Sequence, residues 1–347
     1  MVFCMEWTLV AYGTSLKGGV LDGFATMQAW LWQHWIYTST FLFVIGAVVG
    51  SFLNVVIHRL PDPDLSIVRP RSRCPRCGAT ISWYDNIPIL SFLILSGKCR
   101  ECGGRISFRY PFVELLAGVL LVGLFLKFGP TLAVPLYFVF GSSLIACTFI
   151  DLDHLIIPNE ISIPGIVVGI GVSFLGPDGY WKQSVLGVVV GGGGLFAITA
   201  AWALIRGKWA MGLGDVKLLA MIGAWLGWKS LLFVVLFSSL QGILAALVML
   251  VLGVELQPPL EEEDEEAELE RIRAERRAKF GADEPGEQLQ TRPEDQGTER
   301  DGAQDQEEEL EQVGFLGAAI PFGPFLALAA IEFLFLGQWF FNLLAGR

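Results

Sequence analysis

The sequence predicts an all-α polytopic membrane protein with about eight transmembrane helices and a small cysteine-containing domain between the first two. The chain has 347 residues, of which 53% are hydrophobic and 17% are charged, and its mean hydropathy is +0.54. These values lie outside the range of soluble globular domains. Apolar stretches recur along the chain, and crossing a bilayer takes about 20 such residues per helix.

Eight apolar stretches are candidate spans. They cover residues 36–56, 111–128, 131–150, 161–176, 183–205, 218–228, 229–253 and 314–343. The sixth is too short to cross a bilayer alone. We therefore expect it either to take in residues from 211–217 or to form a re-entrant element.

The basic residues predict the orientation. Nine Lys and Arg side chains lie between the first two spans, and cytoplasmic segments carry such an excess. They are Arg59, Arg69, Arg71, Arg73, Arg76, Lys98, Arg100, Arg105 and Arg109. Alternating the spans from this segment places residues 151–160, 206–217 and 254–313 in the cytoplasm and both termini outside.

The net charge of −11 is concentrated in one segment. Residues 255–312 hold 22 acidic and 7 basic side chains, a sum of −15, so the rest of the chain carries +4. The segment has too few apolar residues to form a core and is predicted to be a disordered insert. The resulting division is a 1–35 arm, a 36–56 span, a 57–111 metal domain, a 112–253 core, a 254–313 insert and a 314–347 last span.

Four of the six cysteines form two C-x-x-C pairs, "CPRC" at 74–77 and "CREC" at 99–102. This spacing is typical of a four-thiolate zinc site, in which each pair supplies two corners of a tetrahedron. Two disulfides are the alternative, but the segment is predicted to lie in the reducing cytoplasm. We therefore predict zinc bound by Cys74, Cys77, Cys99 and Cys102.

Two aspartates have motif context at predicted membrane boundaries. Asp151 closes the third span in "FIDLDHLIIPN", and Asp215 lies at the start of the sixth in "GLGDVKLL". A carboxylate at membrane depth marks a functional site. Two aspartates held close share a proton, so one can act as a base toward water and the other as an acid toward a carbonyl. Paired carboxylates also bind cations or relay protons in transporters.

These motifs resemble the type IV prepilin peptidase family, also called prepilin leader peptidases and N-methyltransferases. The matching pieces are "GSFLNVVIHRLP" at 50–61, the cysteine segment at 72–118, "IDLDHLIIPN" at 150–159, "GLGDVKLLAMIGAWLG" at 212–227 and "IPFGPFLALAA" at 320–330. The "GLGD" piece alone also resembles presenilin-type intramembrane proteases. The acidic insert departs from the family pattern.

The resemblance implies a GxGD-type membrane aspartic endopeptidase whose catalytic dyad is Asp151 and Asp215. Its substrates would be type IV prepilins or type II secretion pseudopilins, cut on the cytoplasmic side of a bacterial inner membrane. The resemblance also implies N-methylation of the new N-terminus with S-adenosylmethionine, and a peptidase without this second activity is the alternative. The lipid bilayer is an expected partner, and nucleic acid is not.

Other interpretations remain open. Asp153 is a rival to Asp151, although two residues along a helix place it on a different face. Glu114 and Arg109 are expected to pair at the start of the second span. Residues 82–97, which mix aromatic and aliphatic side chains, would lie against the bilayer or the prepilin.

Two function classes compete with the peptidase. A secondary transporter would use Asp151, Asp215 and Glu332 as ion ligands, but the sequence contains no matching halves of the kind that transporters have. A metal-dependent membrane scaffold would only bind partners. Neither explains why both motif aspartates fall at the same membrane boundary.

Overall fold

The computed structural model describes residues 30–62, 66, 72–74, 76–176, 179–206, 212–252 and 321–346. The acidic insert predicted at 254–313 lies outside these residues, as does the predicted arm up to residue 29. The chain divides into two compact units, one formed by Met1–Gly242 with Pro321–Arg347 and the other by Ile243–Ile320. Of the second unit, the structure describes only the end of one helix.

Most of the described residues are helical, and β-type pairing among them is limited to two isolated bridges. The helices described from end to end are α1 (Trp35–Arg59), α2 (Leu90–Ile94), α3 (Arg109–Phe128), α4 (Ala133–His154), α5 (Asn159–Ser173), α6 (Tyr180–Arg206), α7 (Leu213–Leu226), α8 (Ser230–Val251) and α9 (Gly323–Leu344). A short 3-10 helix, Trp83–Asn86, precedes α2. A π-turn at Val189–Gly193 interrupts α6 at its run of glycines.

A helix occupies each of the eight predicted spans, but the count of eight crossings is not confirmed. Six helices (α1, α3, α4, α6, α8 and α9) are long and apolar enough to cross a membrane. The other two, α5 and α7, have 15 and 14 residues. At 1.5 Å per residue they reach only about 20 Å, short of a hydrocarbon core of about 30 Å. Helix α7 begins at Leu213, so it does take in residues from the preceding segment as expected.

The short helix α7 lies in the middle of the packing. All nine of its residues from 218 to 226 are buried. On one side it runs antiparallel to α6, where Gly187 and Gly223 meet backbone to backbone and leave no room for a side chain. On another it runs parallel to α5, where Trp225 Nε1 donates to the Gly165 carbonyl at 2.9 Å. A helix whose last nine residues are enclosed by protein need not span the bilayer by itself.

Helices α1 and α3 form an antiparallel pair that supports the cysteine segment. A Cβ at Gly50 would lie 2.6 Å from the Glu114 Cα, so the two backbones touch. Asn54 Nδ2 donates to the Tyr110 carbonyl at 3.0 Å, one turn closer to the cysteine segment. Close packing through small residues is how helices associate in lipid, where the hydrophobic effect does not drive them together. The segment between the two helices therefore leaves and re-enters at neighbouring points.

Candidate functional site

The structure brings the two motif aspartates together. Asp151 lies in the last turn of α4, and its side chain is 6% exposed. Asp215 is the third residue of α7 and is half-buried. The two carboxylates lie close enough across the gap between the two helices to interact electrostatically. The end of one helix and the start of another therefore form a paired-carboxylate site at the edge of the buried core.

A third element that the sequence reasoning did not include reaches the same site. Gly323 is the first residue of α9, and its backbone N–H acts as a donor to the Asp151 carboxylate. A Cβ added at Gly323 would collide with Asp151 Oδ2. Glycine at this position therefore lets the start of α9 touch the carboxylate. The signal was present in the quoted "IPFGPF" stretch, which places a glycine directly before a proline in the first turn of a helix.

Ile157 closes the base of the site. Its buried side chain would lie 3.1 Å from a Cβ at Gly214 and 3.2 Å from a Cβ at Gly323. The residue before it in the connection, Ile156, is exposed, as is Leu155, which adopts a left-handed conformation with φ of 54°. The α4–α5 connection thus turns sharply beside Asp151 and packs one apolar side chain between the starts of α7 and α9.

Lys217, two residues after Asp215, contacts the next motif rather than the aspartate. Its Nζ donates to Asn159 Oδ1 at 2.5 Å, joining the start of α7 to the first residue of α5. This contact links the "IIPN" stretch to the "GLGDVK" stretch beside the dyad.

Asp153 has a separate partner. Arg109 Nη1 lies 2.5 Å from Asp153 Oδ2, and its Nη2 donates to the Phe149 carbonyl at 3.1 Å. The guanidinium also lies 5.0 Å from the centre of the Phe149 ring. Asp153 is thus held by the first residue of α3, on a different face of α4 from Asp151. The contact joins the cysteine segment, which ends at α3, to α4, the helix that carries Asp151.

The expected pairing of Glu114 with Arg109 is wrong. Glu114 is 8% exposed and accepts the backbone N–H of Ile89 at 2.7 Å and a hydrogen bond from Ser51. Arg109 lies more than a helical turn earlier in α3, and its guanidinium extends to α4 instead. Glu114 therefore anchors the loop before α2, because a buried carboxylate needs donors in place of water.

The remaining membrane carboxylate, Glu332, also has a partner. Gln241 Nε2 donates to Glu332 Oε2 at 2.7 Å, joining α8 to α9. Glu332 therefore faces a neighbouring helix. The contact is distant in sequence from both motif aspartates and is consistent with a structural role.

The four cysteines of the two C-x-x-C pairs form one cluster. Their Sγ atoms all lie within 4.8 Å of one another, and all four are free thiols. Two matching turns produce this arrangement. The Gly78 N–H donates to the Cys74 carbonyl at 2.9 Å, and the Gly103 N–H donates to the Cys99 carbonyl at 3.0 Å. Both glycines adopt positive φ, at 70° and 67°.

The thiols have unequal proton affinities. The backbone N–H groups of Cys102 and Glu101 lower the pKa of Cys99 to about 7. The Ala79 backbone also acts to lower the pKa of Cys77, but desolvation and the neighbouring thiols of Cys74 and Cys102 outweigh it and raise that pKa to about 11. Thiols crowded in this way repel one another when ionised, and a bound metal cation would remove that repulsion. The four-sulfur donor set therefore fits a metal ion.

Two protein-family models match separate ranges of the chain. Residues 44–128 match the "Bacterial Peptidase A24 N-terminal domain" and residues 138–247 match the "Type IV leader peptidase family". The first range contains the four cysteines and the second contains Asp151 and Asp215. Gly323 lies outside both.

Several curated relatives carry the name "Prepilin leader peptidase/N-methyltransferase". The protein of that name from Myxococcus xanthus (strain DK1622) is 41% identical over 316 residues, which cover 87% of this chain and 91% of the relative. The relative from Aeromonas hydrophila is 37% identical over 241 residues, covering 63% and 83%. The one from Burkholderia pseudomallei (strain 1026b) is 37% identical over 232 residues, covering 60% and 75%. No solved structure matches the chain.

Proposed function

Because the chain belongs to the type IV leader peptidase family, we propose that it is a membrane aspartic endopeptidase that removes leaders from type IV prepilins. The same protein would N-methylate the new N-terminus, as the name of its relatives indicates. Pseudopilins of type II secretion are a second substrate class of the same chemistry. The observation that carries the peptidase proposal is the pairing of Asp151 with Asp215 where α4 ends and α7 begins.

The dyad supports peptide hydrolysis through general acid–base catalysis. One carboxylate accepts a proton from water, and the water oxygen attacks the scissile carbonyl carbon. The other carboxylic acid gives its proton toward the carbonyl oxygen, and the tetrahedral intermediate collapses as the peptide nitrogen takes up a proton. Asp151 and Asp215 share these two roles, with one proton held between them.

The depth of the dyad suits the substrate. A prepilin has a basic leader followed by an apolar helix, so its scissile bond lies at a membrane boundary. The dyad is formed at helix ends rather than mid-helix, next to the exposed apolar residues Leu155, Ile156 and Leu213. A basic excess between the first two spans supports a cytoplasmic location of this boundary in a bacterial inner membrane.

Zinc is the metal that we propose for the cysteine cluster, held by Cys74, Cys77, Cys99 and Cys102. Four thiolates are a closed structural set for zinc, which supplies folding energy rather than an open catalytic position. The methyl donor would be S-adenosylmethionine. The geometry above assigns no residue to that donor, so methyl transfer is supported by family membership.

The proposal is tested by incubating the purified, full-length protein in bilayer nanodiscs with a prepilin and S-adenosylmethionine. Cleavage is measured by size and methylation by mass. Wild-type protein should produce the shortened, methylated pilin, and Asp153→Asn serves as a matched control for loss of a nearby carboxylate. Full cleavage by Asp215→Asn would contradict the dyad.

A further inference from the structure

We propose that α2 docks on the bilayer surface, with the apolar side chains of Leu90, Leu93 and Ile94 inserted among lipids. These three residues, spaced i, i+3 and i+4, are 50%, 65% and 68% exposed. Ser91, to one side of this face, is buried. A short helix with one largely exposed aliphatic face, in a segment attached to a membrane protein, is typical of an interfacial element. The partner that we assign is the lipid surface itself.

The depth of α2 is fixed by a hydrogen bond. The backbone N–H of Ile89, one residue before α2, is bonded to the Glu114 carboxylate at 2.7 Å. Glu114 is the sixth residue of α3, so at 1.5 Å per residue it lies about 7 Å along that helix. The start of α2 therefore sits level with the first turns of a membrane-spanning helix, at the depth of the lipid interface rather than above it.

Helix α2 packs beside an exposed apolar surface of α3. This stripe consists of Phe112, Leu115 and Val119, spaced at helical intervals along one side, and Phe108 lies directly before it. Phe92, on the side of α2 away from its exposed face, places its ring 6.2 Å from the Phe108 ring, edge to face. Phe108 in turn stacks on Phe112 at 6.4 Å. Helix α2 therefore rests on the start of the stripe, so lipid that covers the stripe would lie next to α2.

Charge favours an anionic bilayer. Residues 72–110 contain six basic and two acidic side chains, and Lys98 and Arg105 are exposed close to α2. Basic residues next to an inserted apolar face add attraction to anionic headgroups. The metal cluster, whose second pair begins at Cys99, would then be held at the membrane surface beside the helix end that carries Asp153 and Asp151.

Site-specific photo-crosslinking tests this assignment on the full-length protein. The photoreactive residue p-benzoylphenylalanine replaces Leu93 or, in a second variant, Ile94, and the protein is placed in nanodiscs of phosphatidylethanolamine and phosphatidylglycerol. Val119, the last residue of the exposed stripe and near the middle of α3, is the positive comparator. Thr80, which is exposed in the first cysteine turn, is the matched position outside α2.

We expect lipid adducts from positions 93 and 94 at a yield close to that from Val119, and about tenfold above that from Thr80. Three results would overturn the proposal: adducts that map to residues 1–29 or 253–320 of the chain, adducts formed with an added prepilin in place of lipid, or equal lipid labelling at Thr80. Because the readout is a lipid adduct, it is independent of whether the protein cleaves or methylates pilins.

Discussion

The dyad and the cysteine cluster are built in opposite ways. All four cysteines come from residues 74–102, and each C-x-x-C turn is closed by backbone hydrogen bonds within six residues. The carboxylate site draws Asp151 from α4, Asp215 from α7 and Gly323 from α9. The cluster therefore depends on local turns, which the proposed metal ion would join, whereas the dyad depends on how three distant helices pack. We therefore expect different substitutions to disrupt the two sites.

The largest expected effect is at the dyad. Asp151→Asn or Asp215→Asn should each lower cleavage about a thousandfold or more, because each removes one of the two proton-transfer groups. Prepilin cleavage is measured together with metal content, which should stay unchanged. Asp153→Asn should retain measurable activity, because its carboxylate is paired with Arg109. A parallel loss of metal would contradict the separation of the two sites.

Gly323→Ala tests whether the start of α9 positions the Asp151 carboxylate. Its methyl group would collide with Asp151 Oδ2, so we expect cleavage to fall about tenfold to a hundredfold while the protein still folds. Gly171→Ala is the matched control, because a Cβ at Gly171 meets nothing within 4 Å. Equal activity of the two variants would show that α9 does not position the carboxylate.

A single cysteine substitution should have the opposite result, with metal binding reduced and cleavage largely kept. Cys77→Ser is expected to reduce bound zinc from about one per chain and to expose the segment between α1 and α3 to protease, because closed zinc sites contribute folding energy. Most of the cleavage activity in detergent should remain. Elemental analysis and limited proteolysis give the readouts, with Cys147→Ala as the control outside the cluster. Protein purified without chelators that contains no metal would rule out the zinc site.

The Arg109–Asp153 ion pair, which links the cysteine segment to α4, is expected to have a smaller effect on cleavage. The side chains of Arg109 and Asp153 are 31% and 35% exposed, and partly exposed ion pairs contribute about 0–1 kcal/mol. Arg109→Gln and Asp153→Asn should each lower cleavage by only about two- to fivefold, and the double variant should add little to the larger single effect. Fully additive effects would show that the pair does not couple the regions.

The smallest effect is expected for the acidic insert. Replacing residues 258–310 by a short Gly/Ser linker should leave cleavage within about threefold of normal, because a loop between spans can change length at a small entropic cost. The alternative is that the −15 charge of residues 255–312 attracts the basic leader. Cleavage measured against ionic strength separates the two. A large loss that disappears at high salt would contradict our prediction.

Sequence reasoning and structure agree best where the chemistry is local. The two C-x-x-C pairs predicted one four-thiol cluster, because cysteine turns of this kind fold within a few residues. The apolar stretches predicted a helix at each of eight positions and missed only the five-residue α2 among the described α-helices, because hydropathy detects long apolar segments. The predicted Glu114–Arg109 pair was wrong, because closeness of two residues along α3 does not determine which neighbouring elements their side chains contact. Arg109 meets α4, and Glu114 meets the loop before α2.

The sequence by itself determined that this chain lies in a membrane, that it carries a four-cysteine cluster, and that Asp151 and Asp215 are its candidate catalytic groups. These conclusions follow from composition and short motifs, whose physical basis is hydration and local backbone geometry. Only the tertiary structure decided that residues 218–226 of α7 are enclosed by protein, that Gly323 touches Asp151, and that Asp153 pairs with Arg109. Such contacts join residues up to 172 positions apart. They depend on which helix faces meet, and side-chain spacing along one helix does not specify its neighbours.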